Sequence, residues 1–135
     1  MLENNVEIIL AANLISNIAK LTFEKEEINP DLYDIAKFNK NLINSFSNYF
    51  EEFWYPDEPN KEKFQRKMQF NPYIPMCVKH AWELTQKNNN IIYLFPKLTI
   101  QINPGEVTIE LNKREIILYS NNTKNVTDLI MRHNK

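Results

Sequence analysis

The segment LTIQINPGEVTIEL, residues 98–111, is the most informative stretch of this chain. On either side of its centre, apolar residues occupy every second position, which is typical of two β-strands that each bury one face. Pro104 and Gly105 stand between the two runs, at the central positions of a tight turn. The segment therefore predicts a β-hairpin with strands at 98–102 and 107–111.

The hairpin is expected to belong to a larger antiparallel meander. Asn112 and Lys113 make a second tight turn into a strand at 115–119, and the apolar run at 91–95 is expected to add a fourth strand. A sheet with one apolar face requires a second layer that covers it. The side chains expected to face that layer are Leu98, Ile100, Ile102, Val107, Ile109 and Leu111, and those expected to face water are Thr99, Gln101, Thr108 and Glu110.

Apolar residues before the hairpin follow a helical period rather than an alternating one. In the first helix two apolar stripes repeat every four residues, and Asn29-Pro30 is a typical start for the second, which should end before Pro56. The pattern predicts helices at about 3–24, 30–55, 61–70 and 75–87, and a short C-terminal helix at about 125–133. The expected fold class is α+β: a single domain of residues 1–135, with N-terminal helices packed on one face of a three- or four-stranded antiparallel meander.

Gly105 is the only glycine among the 135 residues. Loops that bind phosphate groups or dinucleotides need several glycines at fixed spacing, because only glycine lets the backbone approach the phosphate closely. The strand-to-helix turn that carries the nucleophile of α/β-hydrolases needs two. The single glycine therefore argues against these classes of enzyme, and no cofactor is expected.

Cysteine and histidine are too scarce for the usual thiol or metal chemistry. Cys77 and His80 lie one helical turn apart, but Cys77 also belongs to an apolar stripe, where a buried thiol behaves as a small apolar group. With His133 they make only three of the four ligands that a structural zinc site uses. We expect no catalytic residue and no metal site, and hence a protein that is not an enzyme.

The N-terminal region indicates a cytoplasmic protein with no membrane span. The first seven residues carry acids where a secretory signal would carry bases, and polar residues interrupt the longest apolar stretch, at 6–23. A single cysteine suits a reducing compartment. The overall composition resembles that of small regulators from phages or mobile elements.

Charge is distributed unevenly along the chain. Residues 1–60 hold eleven acids and four lysines, a net charge of −7, whereas residues 61–135 hold twelve bases and six acids, a net charge of +6. Two helices followed by a hairpin is also the element order of a winged helix, with Gly105 at the tip of the wing. The candidate nucleic-acid-binding residues are Lys61, Lys63, Arg66, Lys67 and Lys79. The sequence pI of about 6.1 and the two prolines at 71–75 argue against this alternative.

Aromatic residues supply the other candidate binding surface. Trp54, Tyr55, Tyr73 and Trp82 belong to the core or its rim, and if exposed together they would form a patch suited to a protein partner. The first helix, apolar around most of its circumference, suggests burial or a homodimer contact. The leading hypothesis is a small, non-catalytic regulatory protein that binds another protein or a second copy of itself. The alternative is nucleic-acid binding through residues 61–87.

Overall fold

The computed structural model describes residues 2–86 and 90–121. Its helices are α1 (Val6–Lys25), α2 (Ile35–Phe50) and α3 (Met76–Thr85), with short 3₁₀ helices at Pro30–Leu32, Glu51–Phe53, Lys63–Arg66 and Ile91–Leu94. One antiparallel sheet contains, in spatial order, β1 (Lys67–Gln69), β2 (Thr99–Asn103), β3 (Glu106–Leu111) and β4 (Arg114–Ser120). The α+β class and the meander are confirmed. The C-terminal helix predicted at 125–133 lies outside the described residues, as does Lys87.

α1 is the central helix of the fold. The Asn5 side chain caps it by accepting a hydrogen bond of 3.1 Å from the Ile8 amide. One face is fully buried and packs against α2 and the inner face of β2 and β3; it comprises Ile8, Ala11, Ala12, Ile15, Ala19 and Phe23. By length and composition α1 is also apolar enough to cross a membrane, contrary to the sequence-based expectation, and 44% of its most apolar window is buried inside the protein.

α3 packs against α2 through an aromatic cluster. The Trp82 ring lies edge-on to Phe38, with 4.9 Å between ring centroids, and its centroid is 5.6 Å from that of Phe23. Ser45 on α2 donates a 2.6 Å hydrogen bond to the backbone carbonyl of Cys77 on α3. Trp82 is only 2% exposed and is a core residue that joins all three helices, as the first interpretation of the sequence expected, so it does not belong to an exposed aromatic patch.

The helix predicted at 30–55 is shorter, since α2 spans only Ile35–Phe50 and a 3₁₀ helix flanks it on either side. Two other predicted elements have a different structure. Residues 61–70 were expected to form a helix, but they form the 3₁₀ helix Lys63–Arg66 followed by β1, in which Met68 pairs with Ile100 of β2. Residues 91–95 were expected to form a strand, but Ile91–Leu94 is a 3₁₀ helix. The sheet therefore has four strands, but the strand expected at 91–95 is replaced by β1, which comes from an earlier part of the chain. Pairing with β2 outweighs the helical spacing of residues 61–70.

The two faces of the sheet follow the predicted alternation with two exceptions. Five of the six residues expected to face the helices are buried, but Leu111 is 37% exposed at the end of β3. Thr108, expected to face water, is only 8% exposed because it lies in a depression on the outer face, beside Lys63 and Phe64. The alternation thus gives the correct orientation of each strand but not the shape of the surface above it.

Gly105 makes the turn between β2 and β3 and also anchors the hairpin tip. Its φ of +87° lies in the region that favours glycine. Its amide donates a 3.0 Å hydrogen bond to the carboxylate of Glu7 in the first turn of α1, and its carbonyl accepts one of 2.9 Å from Asn121. The hairpin tip is thus docked on the helical layer, unlike the free wing of a winged helix.

We expect Gly105→Ala to lower the free energy of unfolding by about 2 kcal/mol. An alanine at this position would have to keep the positive φ of the turn, and its Cβ would lie 2.8–3.0 Å from the side chain of Asn121. Urea denaturation measures the change. The control is Lys113→Gly, since Lys113 has a φ of +66° and glycine should relieve its strain, leaving stability unchanged or raised. Equal stability of Gly105→Ala and the parent protein would contradict the role given to this turn.

Candidate functional site

The outer face of the sheet, opposite the helices, carries a concave surface next to the 3₁₀ helix Lys63–Arg66. We call it the outer-face surface and define it by Lys63, Phe64, Lys67, Gln101, Glu110 and Glu115. Its volume is about 360 Å³, and apart from Phe64 its lining is polar or charged. Pockets for small molecules are mostly apolar, so this surface does not resemble one.

Phe64 is the most exposed large apolar side chain among the described residues, with 81% of its surface accessible. It lies in the segment 61–70, for which the sequence predicted a helix. Because the segment changes from a 3₁₀ helix to a strand, Met68 is buried at 3% exposure and Phe64 projects outward. An aromatic ring surrounded by polar groups on a concave surface is typical of an interface anchor.

Arg66, two residues after Phe64, is completely buried. Its guanidinium donates hydrogen bonds of 2.6–3.1 Å to the carbonyls of Pro59, Lys61 and Ile102 and to Asn103 Oδ1, and a further bond to the carbonyl of Phe53. These five acceptors match the five N–H groups of an arginine side chain. Burial lowers the pKa of Arg66 from its ordinary value, but a guanidinium stays charged at neutral pH.

The Arg66 contacts hold the segment that carries Phe64 in place. They connect the loop at 53–61 to the end of β2. Gln101 on β2 adds two hydrogen bonds of 2.9 Å, from its side-chain amide to the Lys63 carbonyl and to Asn103 Oδ1. Phe64 is therefore exposed on a fixed backbone, which reduces the entropy lost when a partner binds.

The structure does not bring the five predicted nucleic-acid-binding residues together. Arg66 is buried with its donors occupied, so its assignment as a phosphate ligand was wrong. Lys61 lies over the Tyr55 ring, 4.5 Å from its centroid, and Lys79 is on α3. Only Lys63 and Lys67 of these five belong to the outer-face surface, and they share it with the acidic residues Glu110 and Glu115. A surface of mixed charge is poorly suited to a phosphate backbone.

The four aromatic candidates do not form one exposed patch either. Trp54 is half-buried against the core, and the Tyr55 hydroxyl donates a 2.7 Å hydrogen bond to Glu62, which raises the pKa of Tyr55. Tyr73 is 80% exposed on the connector before α3, and Trp82 is in the core. Sequence reasoning missed Phe64. Met68 and Phe70 alternate with the polar residues Lys67 and Gln69, which is the pattern of a strand. A strand predicted here would have shown that Phe64 does not share a buried helical face with Met68.

Cys77 is buried beside Met68, with 3.7 Å between the two sulfur atoms. Burial raises the pKa of the Cys77 thiol to about 12, so the thiolate needed for nucleophilic attack does not form near neutral pH. His80 is exposed on the same helix. Within residues 2–86 and 90–121, no three histidine, cysteine or acidic side chains are grouped as a metal site would require.

Native Cys77 is expected to resist alkylation by iodoacetamide at pH 8 and to react fully in denaturant. The raised pKa has a second consequence, because the folded state disfavours the thiolate relative to the unfolded state. The free energy of unfolding should therefore fall as the pH rises from the unfolded pKa of about 9 towards about 12. Mass spectrometry of the alkylated protein tests the first expectation. Rapid alkylation under native conditions would contradict the buried, neutral thiol.

Comparisons with known proteins give the family of this chain. The model of the BTG family matches residues 5–120. The chain is also similar to a solved structure of the BTG/Tob domain of C. elegans FOG-3, with 17% sequence identity, a TM-score of 0.57, and coverage of 81% of this chain and 90% of that one. A comparison with curated proteins found no match. The chain therefore belongs to the BTG family, whose domains are regulatory, non-enzymatic and act through protein partners.

Proposed function

We propose that this BTG-family domain binds its protein partner through the outer-face surface, with Phe64 as the anchor. The observation that carries the proposal is a phenylalanine that is 81% exposed although the backbone beneath it is held by the contacts of Arg66 and Gln101. Exposing an aromatic ring to water forgoes the stabilisation that burial would give. A partner that buries this ring recovers that free energy without first ordering the segment.

The charged rim gives the surface its selectivity. Lys63 and Lys67 approach it from the 3₁₀ helix and β1, and Glu110 and Glu115 approach it from β3 and β4. A partner must therefore present an acidic group on one side and a basic group on the other, next to a pocket for Phe64. Complementary rim charges mainly raise the association rate and exclude wrong partners, whereas a central aromatic residue supplies most of the affinity.

Affinity purification from the native host tests this proposal with Phe64→Asp. We expect this variant to lose a defined set of proteins that the parent chain captures. The matched control is Leu21→Asp, because Leu21 is 67% exposed on α1, away from the sheet, and should retain the set. Capture of the same proteins by Phe64→Asp and the parent chain would contradict the proposed surface.

Self-association, nucleic-acid binding and cytoplasmic localisation stay predictions. Val6 and Leu21 leave apolar surface exposed on α1, which light scattering after size-exclusion chromatography would reveal as a dimer if it self-associates. Lys63 and Lys67 are the two predicted nucleic-acid contacts that share a face. A mobility-shift titration at low salt tests whether they bind a duplex.

A further inference from the structure

A second groove borders β1, the edge strand of the sheet, which pairs with β2 on one side only. It is lined by Tyr49 and Phe50 at the end of α2, by Pro75 and Met76 at the start of α3, and by the three residues of β1. Tyr49 is 43% exposed and Met76 is 64% exposed. The groove thus combines an edge strand with apolar side chains that are open to solvent.

The hydrogen-bond alternation of β1 shows which of its backbone groups point away from β2. The Phe70 amide donates a 2.8 Å hydrogen bond to Leu98, which lies opposite it in the register that pairs Met68 with Ile100. Because bonded and non-bonded pairs alternate in an antiparallel ladder, the backbone groups of Met68 point to β2 and those of Gln69 point away from it. The amide of Lys67 donates to the Phe64 carbonyl, which leaves its own carbonyl directed at the free edge.

Side chains alternate along the same edge. Met68 is buried on the inner face, towards α2 and α3, whereas Lys67 and Gln69 are exposed on the outer face. Of the described residues that line the groove, Lys67 alone carries a charge. A strand laid along β1 would therefore place alternate residues beside Tyr49 and Met76 on one face and beside Lys67 on the other.

We propose that the free edge of β1 accepts an extended acidic segment of a partner protein, which adds to the sheet as a fifth strand. The segment alternates apolar residues, which contact Tyr49 and Met76, with carboxylates, which face Lys67. Its backbone pairs with the amide and carbonyl of Gln69 and with the carbonyl of Lys67, as in other cases of strand addition. This edge groove is separate from Phe64, and Lys67 borders both surfaces.

The probe is a seven-residue peptide of alternating valine and aspartate with blocked ends, added to the full ¹⁵N-labelled chain and followed by NMR. We expect saturable shifts at Lys67, Gln69 and Met76, and exchange of the Gln69 amide slowed at least about tenfold. A peptide in which lysine replaces aspartate should bind at least about tenfold more weakly. Shifts confined to other surfaces, no saturable binding, or equal binding of the lysine peptide would each overturn the proposal.

Gln69→Pro is the most informative variant. It removes the Gln69 amide, which points away from β2 and, unlike the Lys67 amide, does not donate to the Phe64 carbonyl. Proline is tolerated at such edge positions. Gln69→Pro should abolish the peptide shifts. Met76→Asp provides a second variant that keeps the backbone intact, since Met76 is exposed, and it should also weaken binding because its carboxylate would face the apolar residues of the peptide. Phe64→Ala, which adds no charge near Lys67, should bind the peptide like the parent chain, and this separates the proposal from the outer-face surface. Unchanged binding by Gln69→Pro or Met76→Asp would overturn it.

Discussion

Replacing Arg66 with alanine is expected to lower the free energy of unfolding by about 3 kcal/mol, the largest stability effect that we predict for a single side chain. The substitution removes the donor to four backbone carbonyls and to Asn103 at once. Those carbonyls lie in a site where Arg66 itself is completely buried. Leaving buried acceptors without donors costs more than the same hydrogen bonds contribute when formed. Chemical denaturation monitored by tryptophan fluorescence measures the loss.

Two further variants separate this role from a general effect of positive charge. Arg66→Lys keeps the charge but has three donors on a point-like head, so it should recover only part of the stability. Lys63→Ala removes an exposed cation from the same segment and should change stability by no more than about 0.5 kcal/mol. A similar small effect for Arg66→Ala and Lys63→Ala would show that Arg66 does not hold the segment.

Phe64→Ala is expected to weaken binding of the partner by at least about 30-fold, the loss typical of an aromatic hot spot. The stability of the free domain should stay within about 0.5 kcal/mol of the parent, because the ring is 81% exposed and contributes little to the core. Isothermal titration calorimetry with the purified partner measures the affinity, and urea denaturation measures the stability. Phe64→Ala should thus lower the affinity for the partner and leave the free energy of unfolding nearly unchanged.

Leu21→Ala is the matched control for this experiment, since it removes a comparable exposed apolar side chain from α1. Its affinity for the partner should equal that of the parent chain. A loss of affinity for Phe64→Ala of less than about threefold would place the anchor elsewhere. Equal losses for the two variants would indicate a general effect of reduced surface hydrophobicity.

The sequence was sufficient to predict the class of fold and the central hairpin. Residues 98–102 and 107–111 each alternate strictly between apolar and polar, with a turn between them, and no other element competes for that pattern. The helices α1 and α3 were expected within a few residues of their observed ends because their apolar residues follow a clear helical spacing and Pro75 marks the start of α3. The turn at Gly105 followed from the pairing of Pro104 with the only glycine, but its contact with Glu7 joins positions 98 residues apart and has no local signature.

Residues 61–70 show why the candidate site was harder to predict. Phe64 and Met68 have the spacing of a helix, whereas Met68 and Phe70 have the spacing of a strand, and only pairing with β2 decides between them. In the sequence, Arg66 cannot be told apart from the other cations of residues 61–67. Four of the five acceptors that bind its guanidinium are backbone carbonyls, which every residue has. Such groups leave no mark in the sequence. The exposed position of Phe64 follows from both of these features.

The most direct test of the outer-face surface is photo-cross-linking from its centre. Benzoylphenylalanine in place of Phe64 retains an aromatic side chain at that position, and the same photoreactive residue in place of Leu21 serves as the control. We predict that irradiation of the complex links the partner to position 64 and not to position 21. Cross-linking of the partner from position 21 with none from position 64 would contradict the claim that this BTG-family domain binds through the outer face of its sheet.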